Sequence, residues 1–154
     1  MTLPIYVITG ASKGIGRSLA IQMSQQGYTV FALARPSAEL TEVEGVLKAS
    51  SKHSMSIECD LGDLDSIASA AKTISAHADF ISGLVHNAGA VAPVKPMQAA
   101  NASDWSRSLH VNLIGVQAIT QHLTHLLGGA QQSRITTISS GCLLYTSPSP
   151  RDVE

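Results

Sequence analysis

The chain has 154 residues, of which 44% are hydrophobic and 14% charged; that length and composition suit one domain with a substantial core. Ten Lys and Arg stand against eleven Asp and Glu, a formal charge of -1 with no basic block, which argues against nucleic acid or anionic lipid as a partner. No apolar run reaches the roughly 18 residues needed to span a bilayer, so no membrane segment is expected. Cys59 and Cys142 are isolated thiols, and the opening Met-Thr-Leu-Pro lacks a basic stretch leading into an apolar one. Together these point to a reducing, cytoplasmic setting.

In chain order, the apolar run at 5–9 reads as a strand and leads into Thr9-Gly10-Ala11-Ser12-Lys13-Gly14-Ile15-Gly16, followed by a helix over 14–26. A strand, a glycine-rich turn and a helix start form a cradle for a dinucleotide pyrophosphate. Gly10 and Gly14 suit positive φ and close approach of phosphate to backbone, and Gly16 suits close passage of the helix over strand one. Ser12 or Thr9 is expected to cap the helix. The competing reading is an ordinary strand-to-helix turn.

Strands are expected next at 29–34, 56–59, 80–86 and 134–139, alternating with helices at 38–50, 64–77 and 103–127. Ser103 is the expected N-cap of the last helix, and Gly128-Gly129 its stop. Strands apolar on both faces and separated by helices imply an α/β fold, a doubly wound parallel sheet of Rossmann type. Residues 91–102, with Pro93 and Pro96, read as a loop beside the strand ends, with 91–97 positioned to border a substrate pocket.

Thr9 to Gly16, Asp60-Leu61, Asn87-Ala88-Gly89, Asn112 and Ile138-Ser139-Ser140 occur in this order, and with them the chain resembles the short-chain dehydrogenase/reductase family over residues 4–141. The resemblance implies that Thr9, Gly10, Ser12, Lys13, Gly14, Ile15 and Gly16 hold the pyrophosphate. It implies that Asn87, Ala88 and Gly89 stabilise the sheet and line the cofactor. Asp60 and the Leu61 N–H would meet adenine; a helix cap is the competing reading for Asp60, with Gly62-Asp63 as the alternative cap.

About 20 residues past a glycine turn, a carboxylate selects NAD by binding the ribose 2'-hydroxyl. Arg35 stands there instead, and Lys13 adds a second cation, so NADP(H) is the expected cofactor. The alternative is that both cations are merely solvated. By the same resemblance Ser140 holds the substrate oxygen and Asn112 anchors a proton-relaying water; Asn112 bridging a helix irregularity is compatible with that role. The substrate implied is a small carbonyl or alcohol. No metal site is expected, although His122 and His125 lie three apart on one helix, and Trp105 and Leu109 read as packing residues.

The family also requires Tyr-x-x-x-Lys about a dozen residues beyond the serine. Tyr145 is followed four residues later by Ser149, and no lysine occurs after Lys95. Without a neighbouring ammonium a tyrosine keeps a pKa near about 10 and is a poor base. Residues 142–154 break in composition and resemble translated sequencing-adapter sequence, so the organisation expected is a partial Rossmann-type domain at 1–141 and a non-native tail at 142–154; a genuine truncated paralogue is the rival. A sheet incomplete on its C-terminal side would bare a hydrophobic edge at 134–139 and the helix at 103–127, surfaces expected to support a homodimer or homotetramer in the full-length protein. The competing function is a non-catalytic dinucleotide-binding or sensing protein that lacks the base.

Overall fold

The computed structural model describes residues 4–91, 95–128 and 132–139. Five parallel strands, β1 (Ile5–Thr9), β2 (Thr29–Ala34), β3 (Met55–Glu58), β4 (Gly83–His86) and β5 (Arg134–Thr137), lie in the order β3-β2-β1-β4-β5. The intervening helices are α1 (Gly14–Gln25), α2 (Ala38–Ser50), α3 (Leu64–His77), α4 (Ala102–Leu109) and α5 (Gly115–Leu127). This is the doubly wound α/β sheet. After β3 the chain returns to the far side of β1, so the crevice at the topological switch lies between the carboxyl ends of β1 and β4.

Because successive strand residues point to opposite faces, the core is two layers. Val7, Phe31, Leu33, Ile57 and Leu84 pack with Ile67 and Ile74 of α3 and Ile119 and Leu123 of α5. Ile8, Val30, Ala32 and Val85 face the other way, towards Ala20 of α1 and Val43 and Leu47 of α2. A strand covered on both faces has no polar side to show, which is why β2 is apolar and buried from end to end.

The structure corrects several local expectations. The third strand starts one residue earlier than expected. The fourth begins only at Gly83, because the Ile81 N–H donates to the Leu126 carbonyl at the end of α5 instead of joining the ladder. Neither Ser12 nor Thr9 caps α1: Lys13 occupies the N-cap position with no side-chain hydrogen bond to the helix. The long helix starts at Ala102, capped by Asn101, whose Oδ1 accepts from the Asp104 N–H at 2.8 Å, while the Ser103 hydroxyl donates to that same oxygen.

That helix is also not continuous α. A π-helical turn, His110–Ile114, joins α4 to α5, and Gly115 at its exit passes so close to Leu61 that a Cβ there would overlap the Leu61 carbonyl. Trp105 and Leu109 do not pack in the core. They are 47% and 54% exposed and, with Ala102, Leu113 and Ile114, line a shallow apolar concavity. The buried side of α4 is Ser108, whose hydroxyl donates to the Ala90 carbonyl. The inner face of α5, by contrast, is covered, with Ala118, Ile119, Leu123 and Leu126 buried. Among the described residues no helix is long and apolar enough to cross a membrane.

Candidate functional site

A cleft of about 1180 Å³ opens at the carboxyl ends of the strands. Its first wall is the turn after β1. Gly10 has φ +67° and Gly14 φ +59°, the left-handed region that favours glycine. At Gly10 space is limiting too: a Cβ would lie 2.7 Å from the Ala88 Cα. Gly16 does not line the cleft; a Cβ there would sit 2.5 Å from the Gly10 carbonyl and overlap the Asn87 amide. The approach that requires glycine at 16 is therefore to the turn and the end of β4.

The second wall is that end of β4, tied to β1 through side chains. The buried Thr9 hydroxyl donates to the Val85 carbonyl at 3.3 Å and accepts from the N–H groups of Asn87 and Ala88, each at 3.1 Å. Asn87 Nδ2 returns two bonds, to the carbonyls of Thr9 at 2.9 Å and Gly10 at 3.1 Å. Thr9 is thus engaged by β4, which is why it does not cap α1. With no side-chain acceptor, the first N–H groups of α1 remain open to an anion.

Asp60 and Leu61 form the third wall. Asp60 Oδ1 accepts from the Gly62 N–H at 2.9 Å in a local turn, while α3 takes its cap from Asp63, whose Oδ1 accepts from Asp65 N–H. Asp60 therefore keeps a carboxylate oxygen for other partners. Asn112, inside the π-helical turn, stands just behind the cleft. Its Oδ1 accepts from the Ala90 N–H at 2.8 Å, and its Nδ2 donates to the Ala90 carbonyl at 2.6 Å and to Ser108 Oγ at 3.3 Å. The amide pairs with the segment after β4 as a neighbouring strand would. Ser140 lies outside the described residues, as do Tyr145 and the rest of 140–154.

The remaining predicted residues, Ser12, Lys13, Ile15, Arg35, Ala88 and Gly89, all line the same cleft. Sequence reasoning missed Ser37, Glu39, Arg107 and Val111, which line it as well. The last two were legible in principle: Arg107 and Val111 lie four apart on the helix that carries Asn112, hence on one face.

Among the described residues Cys59, Glu39, Glu44 and His86 have shifted protonation, Glu44 being held low chiefly by its hydrogen bond with Lys48. Burial, aided by Asp60 and Asp63, pushes the Cys59 thiol up to about 12, so this cleft-lining cysteine is no nucleophile at neutral pH. Hydrogen bonds from its own backbone N–H and from Ser37, with the Lys13 ammonium, hold the exposed Glu39 below the usual carboxylate range. Burial lowers His86. The Thr120 hydroxyl lies 2.7 Å from Val116 O and 2.9 Å from His86 Nε2. His86 Nδ1 is buried without a partner.

A family model described as short chain dehydrogenase matches residues 4–149. The chain belongs to the short chain dehydrogenase family. Among its relatives is an NADPH-dependent pterin aldehyde reductase from Arabidopsis thaliana, 30% identical over 135 residues that cover 88% of this chain and 55% of the relative. In three dimensions it is similar to a short chain dehydrogenase from Salmonella enterica serovar Typhi, at TM-score 0.84 and 27% identity over 95% of this chain and 61% of that one. It is also similar to a metagenomic short-chain oxidoreductase in complex with NADP, at TM-score 0.81 and 30% identity over 89% and 62%. The chain spans about half the length of the curated relatives it matches.

Proposed function

We propose that this chain is the dinucleotide-binding part of an NADP(H)-dependent oxidoreductase acting on a small carbonyl or alcohol. The observation that carries this reading is the convergence on one cleft of a helix start without a side-chain cap, a glycine turn that admits no Cβ at Gly10, and the cations Lys13 and Arg35. When bound, the nicotinamide supplies or accepts the hydride. The open N–H groups of α1 suit the pyrophosphate. Thr9, Gly10, Ser12, Gly14, Ile15 and Gly16 shape that cradle, and Asn87, Ala88 and Gly89 form its far wall. Asp60 and Leu61 receive the adenine. Arg35 and Lys13 receive the 2'-phosphate, for which a planar guanidinium offers paired donors. The relatives described as NADPH-dependent or as complexed with NADP support this choice.

Asn112 fits a positioning role, since its amide holds Ala90 beside the π-helical turn, a distortion common at functional sites. Ser140 is assigned to the substrate oxygen, residues 1–141 to the nucleotide-binding unit, and 142–154 to a non-native tail. The exposed apolar face of α4 is the surface proposed for self-association into a dimer or tetramer. A second reading, dinucleotide binding without catalysis, is favoured by one sequence observation: no lysine follows Lys95 and Ser149 stands four residues beyond Tyr145.

The test is fluorescence titration with NADPH and NADH. The unmodified chain should prefer NADPH, and Arg35→Asp should move the preference towards NADH by at least about tenfold; unchanged NADPH affinity in that variant refutes the assignment. NADPH oxidation with a panel of aldehydes and ketones separates the two readings: turnover supports the oxidoreductase, and tight binding without turnover the non-catalytic protein.

A further inference from the structure

Besides the cations Lys13 and Arg35, the cleft carries a carboxylate, Glu39. The three come from different elements: the N-cap of α1, the end of β2 and the first turn of α2. We propose that Glu39 is a specificity-determining residue: its carboxylate competes with the 2'-phosphate of NADP(H) for the Lys13 ammonium and so limits the preference for NADP(H) over NAD(H). The inference rests on the reading of the cleft as an NADP(H) site.

Fold stability supplies a reason for a carboxylate at this position. Ser37 caps α2, accepting from the Leu40 N–H at 3.2 Å, and Glu39 follows two residues later. A negative charge in the first turn interacts favourably with the helix dipole. The same N-terminal turn contributes Ser37 and Glu39 to the cleft that Lys13 and Arg35 line, so a charge that suits the helix opposes an anionic ligand there. Glu39 is hydrogen-bonded at the start of α2 but makes no direct ion pair. Among the described residues the ion pairs are Arg17–Glu42, Lys48–Glu44 and Lys95–Asp104, none involving Glu39 or Lys13. The Lys13 charge nevertheless contributes to holding Glu39 ionised.

The experiment compares the unmodified chain with Glu39→Gln by titrating NADPH and NADH at low ionic strength, with Glu42→Gln as a control. Glu42 lies on the same helix, pairs with Arg17 and does not line the cleft. Glu39→Gln should tighten NADPH about three- to tenfold and change NADH less than about twofold, and the gain should shrink at about 0.5 M salt. Glu42→Gln should do neither. Glu39→Asp, which keeps the charge, should keep the original preference even if α2 is weakened. Equal tightening of both dinucleotides, no tightening of NADPH, or the same gain in Glu42→Gln overturns the inference. If the unmodified chain prefers NADPH and Glu39→Gln leaves the ratio unchanged, only the role of Glu39 falls. If the unmodified chain does not prefer NADPH over NADH, the cofactor reading falls and this inference with it.

Discussion

β2 and β5 are both short parallel strands rich in apolar and β-branched residues, yet all six residues of β2 are buried and all four of β5 are exposed. The difference lies in their neighbours. β2 runs between β1 and β3 with helices over both faces, whereas β5 pairs only with β4 among the described residues, leaving Ile135 51% and Ile138 39% exposed. Composition makes a segment capable of burial; the layers around it determine whether burial happens. The same contrast runs through the helices, since α2 and α3 bury regular apolar stripes while α4 turns Trp105 and Leu109 to solvent.

The sharpest way to test this contrast is to disturb the well-packed half where it meets the cleft. Gly16→Val should displace the Asn87 amide from the carbonyls of Thr9 and Gly10, lowering stability by roughly 3–5 kcal/mol and abolishing dinucleotide binding, as denaturant melts and titrations would report. The next test uses residues in register: Leu84 and Ile135 are partners across β4 and β5. Leu84→Ala should cost about 2–4 kcal/mol, because Leu84 is fully buried, and Ile135→Thr should stay within about 0.5 kcal/mol. Equal costs would mean that β5 is covered in solution and would break the comparison.

A smaller effect comes from His86, buried between β4 and α5. Burial lowers its pKa in the folded state below the ordinary 6.5, so between the two values the unfolded chain binds the extra proton. Its contribution to stability is complete above the unfolded pKa and is lost as pH falls from about 6.5 towards the folded value, at no more than about one proton's dependence. His86→Gln should remove that slope from melting midpoints recorded between about pH 5 and 7. The smallest expected change has the opposite sign. A Cβ at Gly45, inside α2, meets no atom within 4 Å, so Gly45→Ala should stabilise the chain by about 0.5–1 kcal/mol.

Much of the fold was legible because its signals are local. The bounds of β1, β2, α2 and α3 follow from apolar periodicity, the strand-apolar pattern and the residues that flank them. The glycine turn, Arg35 and Asn87 were readable for the same reason, since each sits at a fixed distance from a strand end. The cap expected from Ser12 or Thr9 does not form, and Thr9 instead meets Val85, Asn87 and Ala88, partners far along the chain. Asn101 caps the helix in place of Ser103 because, two residues earlier, it offers the better-placed acceptor. Trp105 and Leu109 read as packing residues, and their exposure depends on what packs against α4, which local sequence does not encode.

Local patterning alone specifies the alternation of strands and helices, hence the doubly wound sheet, and the glycines, cations and amide at the strand ends, hence the kind of ligand the cleft can take. Tertiary structure decided which partner each polar group meets. It joined Thr9 to Asn87, set Asn112 against Ala90 across a π-helical turn, and brought Glu39 and Arg107 to the edge of the cleft. The physical reason is range: backbone preference and side-chain periodicity act within a few residues, whereas burial, hydrogen-bond pairing and charge coupling depend on residues that only the folded sheet brings together.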